Sequence, residues 1–244
     1  SSAASDVYKR QDLADALAAA VRGRLLLRRY DRWVYRRLRP FIGQRVLEVG
    51  CGLGNFTPFL LDRELVVATD LSAEYCAAVA ARFPDAPHLV VLPHDITADP
   101  APLIEYGFDT VISLNVLEHI ADDLAALRNI HRVLVPGGAL VLLVPAVPAL
   151  YGTLDAAIGH WRRYRRDELI RKAKDAGFTP ETCFYLNLLA VLGWWVSGKL
   201  LRLRIAPASQ LRVFDLLVPL CAFLEALRPP PIGLSLVLIA RKRF

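Results

Sequence analysis

Apolar positions along the chain follow two spacings. Over residues 12–40, Leu26, Tyr30, Trp33, Val34 and Leu38 recur every three or four places among arginines, which predicts a basic amphipathic helix ended by Pro40 and Gly43. Beyond it, short runs rich in leucine and β-branched residues alternate with helical stretches. That alternation predicts an α/β fold with a doubly wound, mostly parallel sheet. The runs place seven strands, at residues 45–49, 65–69, 89–92, 110–114, 139–144, 181–185 and 235–240. Between the sixth and seventh strands such a sheet needs only a short hairpin. Residues 186–232 instead hold two apolar stretches of helical spacing, the second interrupted by Pro219, which would kink or break it. A hydrophobic helical insertion is therefore expected there.

Composition narrows the class. With 244 residues, 55% of them hydrophobic, the chain can bury one full core, so a single domain over residues 12–244 is expected and the disordered class is excluded. The segment SSAASDVYKRQ, residues 1–11, has no apolar run and reads as an adapter-like or disordered tail outside the fold. The formal net charge of +6 comes mostly from arginine and points to an anionic surface or substrate without choosing among membrane, phosphate and nucleic acid. Cysteines at 51, 76, 183 and 221 show neither C-x-x-C spacing nor a dense framework, which predicts reduced thiols, a cytoplasmic setting and no zinc site.

The first strand runs into VLEVGCGLGNFT, residues 46–57. Gly50, Gly52 and Gly54 leave no side chains where the chain turns toward a helix, so a ligand can approach the backbone closely. The spacing is G-x-G-x-G, not the G-x-G-x-x-G of a dinucleotide site, and Glu48 precedes it, which suits a cationic ligand end better than a pyrophosphate. Asp70 closes the second strand where its carboxylate can accept from both hydroxyls of a ribose. HDI, residues 94–96, and FDTVISLNVLEHI, residues 108–120, follow. All these polar residues fall at C-terminal strand ends, where open α/β sheets bind ligands.

Taken in order, VLEVGCGLGN, TDLS, HDI, FDTVISLNVLEHI and LVPGGALVLLVPA make residues 45–144 resemble class I S-adenosylmethionine-dependent methyltransferases. The resemblance implies a Rossmann-like methyltransferase fold with S-adenosylmethionine as cofactor. It implies that Gly50, Gly52 and Gly54 line the methionine and ribose portion, with Glu48 and Cys51 of the same turn among the cofactor residues. It also sets Asp70 on the ribose hydroxyls and Asp95 on the adenine amino group, with Leu71 and Ile96 around the adenine ring and Asn115 beside the methionine end. Glu118 and His119 are expected to shape the pocket without holding a metal, because Asn115 offers an amide where a hard cation would want a carboxylate.

The acceptor site must come from elsewhere. Residues 145–166 follow the fifth strand and include IGHWRRYRR; they resemble a bacterial subset of the family with a Y-G-x-x-D…G-H-x-R-R-Y loop. Here His160 is expected to act as general base or orienting group, steadied by Asp155. Tyr151, Arg162, Arg163 and Tyr164 are expected at the substrate, the arginines clamping a phosphate or carboxylate. The alternative has Trp161 and Tyr164 packing the loop and the arginines solvated or paired with acids.

The insertion reads as an apolar cap, as an extension of the core, or as helices in a membrane interface, with Trp194 and Trp195 above a basic rim of Lys199, Arg202 and Arg204. The expected reaction is methyl transfer to a hydroxyl of a small or amphiphilic acceptor, lipid-linked with an anionic head, in the cytoplasm or at the inner face of the membrane. A soluble small acid, RNA, and a scaffold that binds cofactor without catalysis are the alternatives. Nucleic acid is disfavoured, since residues 115–118 lack an Asn-Pro-Pro-aromatic element and no aromatic-basic platform is evident outside the loop.

Overall fold

The computed structural model describes Ala19 and residues 22–243. Seven strands form one sheet: β1 (Arg45–Val49), β2 (Leu65–Asp70), β3 (Leu89–Pro93), β4 (Phe108–Leu114), β5 (Leu134–Pro145), β6 (Phe178–Leu186) and β7 (Ser235–Lys242). Their order is β3-β2-β1-β4-β5-β7-β6, and only β7 runs antiparallel to its neighbours. The expected sheet is thus present, with each strand where the hydrophobic runs placed it and the later ones longer. Chain order reverses between β1 and β4, which opens a crevice beyond their C-terminal ends.

Both sheet faces are buried, as parallel strands require. On one face Leu47, Val111, Leu140 and Leu238 pack beneath α3 (Asp123–Val133) and α5 (Arg166–Asp175), with the short α4 (Thr153–Ala157) between those two helices in the chain. On the other, Val46, Ile112, Val141 and Val237 meet Trp33, Val34 and Leu38 of α1 (Arg28–Leu38) and Val218 and Cys221 of α7 (Ala208–Leu227). Local chemistry sets several helix starts. Ser72 caps α2 (Ala73–Arg82) by accepting from the Tyr75 amide, and Asp122 caps α3 by accepting from Ala125. Asp167 and Glu168 occupy the first turn of α5, where the dipole favours them.

Two expectations are corrected outside the sheet. The basic helix predicted over residues 12–40 is interrupted by a turn at residues 25–27, and α1 begins only at Arg28; most of the earlier part of that prediction, and the tail at 1–11, lie outside the described residues. Leu27 at the start of α1 has no capping side chain; Asp215 of α7 accepts from the Arg29 and Tyr30 amides instead. In the connection from β6 to β7, α6 (Leu189–Trp195), a π-helical turn (Val196–Leu200) and α7 form the predicted helical insertion. Here α7 runs through Pro219 without ending. Its inner side joins the core through Val218 and Cys221, so part of the insertion is a core extension. No helix among the described residues is long and apolar enough to cross a membrane.

Candidate active site

At the end of β1 the chain turns through glycines in the left-handed region, with φ of +76° at Gly50 and +53° at Gly52. A Cβ on Gly50 would collide with Val116, whereas one on Gly52 would meet no protein atom within 4 Å. The Gly50 and Cys51 amides both donate to the Thr69 carbonyl, which ties the turn to β2. Asp70 then fixes its own end of β2, one carboxylate oxygen accepting from the Gly52 amide at 2.9 Å and the other from the Ser72 amide at 3.0 Å.

Glu48 lies buried beneath the turn and accepts from the Thr57 hydroxyl at 2.7 Å; burial raises its carboxyl to about 7 against that bond. Burial also raises the Cys51 thiol, with the charges of Glu48 and Asp70 adding to it, so it stays protonated. Farther along the edge, Asp95 is exposed and accepts from the Thr97 amide and hydroxyl, Ile96 is buried, and Leu71 stands out in solvent. Asn115, at φ +57°, turns the chain out of β4.

A cavity of about 510 Å³ extends from this turn beneath the insertion. Leu154, Ile158, Trp194, Phe214 and Leu217 give it apolar walls, and Glu48, Asn115, Glu118, His119 and His160 supply polar groups. Asp70, Leu71, Asp95 and Ile96 lie outside its lining, along the crevice edge toward β3.

The cavity's most unusual feature is the surrounding of His160. Its Nδ1 is 2.9 Å from Asp155 Oδ1, and its Nε2 is 3.7 Å from Glu118 Oε1. Burial works against the charge on Asp155, but bonds from His160, then the charge of Arg163 and the Trp194 indole N–H, hold its carboxyl below the usual carboxylate range. An ionised partner on Nδ1 fixes the proton there in the neutral ring and leaves the lone pair on Nε2. Glu118 is fully buried, and neither of its oxygens has a hydrogen-bond partner among the described residues. Burial raises it to about 7, opposed by His160. His119 packs edge-on against the His160 ring at 4.7 Å, and burial lowers it to about 4, so it is neutral near pH 7. The donor atoms of Glu118, His119 and His160 lie within 4.8 Å of one another, close enough to share a cation.

His160 and Asp155 therefore meet as the sequence suggested, and the Tyr151 hydroxyl supports them by donating to the His160 carbonyl. The expected arginine clamp does not assemble. Arg163 is buried, donates to Asp155 and to the Ala146 carbonyl, and lies over the Trp194 ring. Arg162 pairs with Asp123 at 2.8 Å away from the cavity, and the fully buried Tyr164 donates its hydroxyl to the same carboxylate. Each of these side chains finds its anion inside the protein. Trp161 is exposed and does not pack the loop, and Trp194 turns inward, leaving Trp195 as the exposed member of the pair. Sequence reasoning missed Glu118 as the neighbour of His160, because a pairing across 42 positions leaves no local signal. It also missed Asn187, buried at the cavity with an unpartnered Oδ1, although its isolation within an apolar run was visible.

The profile of a family described as "Methyltransferase domain" matches residues 47–142. A ubiquinone biosynthesis O-methyltransferase of Ruegeria pomeroyi is 37% identical over 187 residues, covering 70% of this chain and 75% of that protein. The chain belongs to the class I S-adenosylmethionine-dependent methyltransferases. An uncharacterised methyltransferase of Mycobacterium tuberculosis is 35% identical over 112 residues, 46% of this chain and only 55% of that relative, so the match spans little more than half of it. Among solved structures, an S-adenosylmethionine-dependent methyltransferase from Mesorhizobium loti superposes with a TM-score of 0.57 at 18% identity, over 86% of this chain and 97% of that one, a likeness of fold. The cofactor of this methyltransferase family is S-adenosylmethionine.

Proposed function

We propose that this methyltransferase methylates a hydroxyl oxygen of a largely apolar, lipid-like acceptor bound in the cavity, with His160 as general base. The observation that carries the reading is the His160 ring, oriented by ionised Asp155, with Nε2 directed toward the unpartnered Glu118 carboxyl.

The residues of the β1 turn fit the family's cofactor. The open space over Gly52 gives a ligand room against bare backbone. Asp70 uses one bond on each oxygen for the chain, and a carboxylate has about four acceptor positions, so capacity remains for two ribose hydroxyls. In this reading Glu48, Gly50, Cys51, Gly52, Gly54 and Asn115 surround the methionine and ribose portion, and Asp70, Leu71, Asp95 and Ile96 hold the rest. When bound, S-adenosylmethionine supplies a methyl group on a positively charged sulfur.

The protein's own task is then to hold an oxygen lone pair in line, and positioning alone is worth about 7 to 11 kcal/mol of a barrier. His160 Nε2 accepts the hydroxyl proton. The imidazolium so formed lies between Asp155 and Glu118, and its charge favours an ionised Glu118. An apolar acceptor follows from the walls of the cavity. An anionic head finds no support from Arg162 and Arg163, which are engaged by Asp123 and Asp155. The O-methyltransferase name of the Ruegeria relative is consistent with a hydroxyl target.

The test is turnover with methyl-labelled cofactor on a total lipid extract. Label in the organic phase, stable to mild acid and lost with His160→Ala, is the expected result. Label confined to water-soluble acids or to RNA would overturn the acceptor class, and no demethylated cofactor with any acceptor would leave a binding scaffold.

A further inference from the structure

The insertion presents an apolar outer face that nothing among the described residues covers. Leu192, Leu216, Phe223 and Leu227 are 67%, 63%, 61% and 69% exposed, and Trp195 and Leu220 stand out beside them. Single exposed apolar residues are ordinary, but a run of this kind on one insertion marks a contact surface.

The charges around this face have one sign. Residues 186–232 contain two acids, Asp215 and Glu225, and both are turned inward. Asp215 accepts from the Arg29 and Tyr30 amides, and Glu225 from the Asn187 and Leu188 amides. Lys199, Arg202, Arg212 and Arg228 are exposed. Against α7 lies α1, joined to it by the Asp215 bonds and by Tyr30 against Phe214, with rings 5.8 Å apart. It exposes Arg28, Arg29, Arg32 and Arg36, none of them in an ion pair among the described residues.

The cavity also reaches this surface. Leu189, Ile205, Val213 and Leu217 line the cavity and are at the same time exposed outside, so the apolar face continues into the site.

We infer that this face docks on an anionic lipid bilayer, with the leucines and aromatics in the interface, the arginines on the headgroups, and the cavity opening toward the lipid. Amphipathic surfaces with a basic flank bind this way, without crossing the membrane. The inference extends the lipid-like acceptor proposed above, but it is read without cofactor or acceptor.

Flotation with vesicles of phosphatidylcholine alone and of phosphatidylcholine mixed with phosphatidylglycerol tests it. The full chain is expected to float with the mixed vesicles and to be released by salt. Leu220→Glu with Phe223→Glu should weaken binding by roughly tenfold or more. Arg28→Glu with Arg32→Glu should abolish the preference for anionic lipid. An unchanged thermal melt and unchanged binding of S-adenosylhomocysteine keep the variants interpretable. Equal recovery with and without anionic lipid, or flotation that survives Leu220→Glu and Phe223→Glu, would overturn the inference. So would a dimer in solution that these variants convert to monomer, since a second copy would then own the face. A protein that floats yet labels no lipid would sink the acceptor reading and leave this one standing. Label in the organic phase of a lipid extract without flotation of the protein would do the reverse.

Discussion

His160 Nε2 stands 3.7 Å from Glu118 Oε1, a buried carboxyl oxygen with no hydrogen bond among the described residues. A carboxyl of this kind gains a partner when the imidazole takes up a proton. If His160 is the base, His160→Ala should lower kcat by about a hundredfold to ten-thousandfold. Binding of S-adenosylhomocysteine should be unchanged, because the residues proposed to hold the cofactor lie at and just beyond the C-terminal ends of β1, β2, β3 and β4. Calorimetry alongside single-turnover rates checks both halves, and equal loss of both would move His160 out of the acceptor site.

Glu118 also gives a pH signature. Burial raises its folded carboxyl to about 7 from an ordinary 4.5, so the folded state holds the proton more tightly than the unfolded chain. Its contribution to stability is full below about pH 4.5 and is lost as pH rises through about 7. His119, lowered to about 4, has the opposite sign: stability grows as pH rises from about 4 to 6.5. The difference between parent and Glu118→Gln cancels the histidine. That difference should grow in favour of the variant from about pH 5 to about pH 8 in denaturant titrations. The same variant should lose turnover most on the alkaline side, where only the parent has a carboxylate beside the imidazolium.

Two glycines of one turn should fail in different ways. Gly50→Ala drives a Cβ into Val116 and should unfold or strongly destabilise the protein. The Cβ of Gly52→Val meets no protein atom within 4 Å, so its cost in stability should come mainly from the left-handed backbone, about 1 to 3 kcal/mol. Its side chain would fill the space assigned to the cofactor. A folded Gly52→Val protein with undetectable S-adenosylhomocysteine binding is the expected outcome, and retained binding would place the cofactor elsewhere.

The sheet and the glycine turn at its edge were legible because their signals are local. Strand spacing, three glycines and a carboxylate at a strand end are each set by a few neighbouring residues. On the cavity side only the meeting of His160 and Asp155, five positions apart, was legible. What decided the rest was the pairing of distant groups. Arg162 is taken by Asp123, and Tyr164 by the same acid 41 positions away, so residues that read as a clamp have partners within the chain. A charge cluster in sequence shows that anions are needed, but not whether the chain supplies them. The break at residues 25–27 was hidden similarly, since the carboxylate satisfying the start of α1 comes from Asp215.

The grouping of Glu118, His119 and His160 makes a cation a testable rival to the base. A metal there would need the His160 Nε2 lone pair and ionised Glu118, and it would displace the proton-accepting role. Dialysis against a strong chelator should therefore leave turnover unchanged, and added zinc should inhibit by claiming the same donors. Loss of turnover on chelation, restored by one divalent ion, would replace the base with the metal.

Arg162 and Arg163 are adjacent, yet their substitutions should diverge. Arg163 is buried against buried Asp155, and removing it leaves that carboxylate without its cation, at a cost of about 3 to 5 kcal/mol. Arg163→Lys should recover little, because a single ammonium cannot reproduce the bonds to Asp155 and Ala146 while covering the Trp194 ring. Arg162 is partly exposed, and its pair with Asp123 is shared with Lys172, so Arg162→Ala should cost no more than about 1 kcal/mol. In the proposed reading both are held by acids of the chain and neither contacts the acceptor's reacting oxygen. Thermal melts should therefore separate the two variants, while the acceptor KM of Arg162→Ala stays at the parent value. A raised KM with an unchanged melt would restore Arg162 to the substrate.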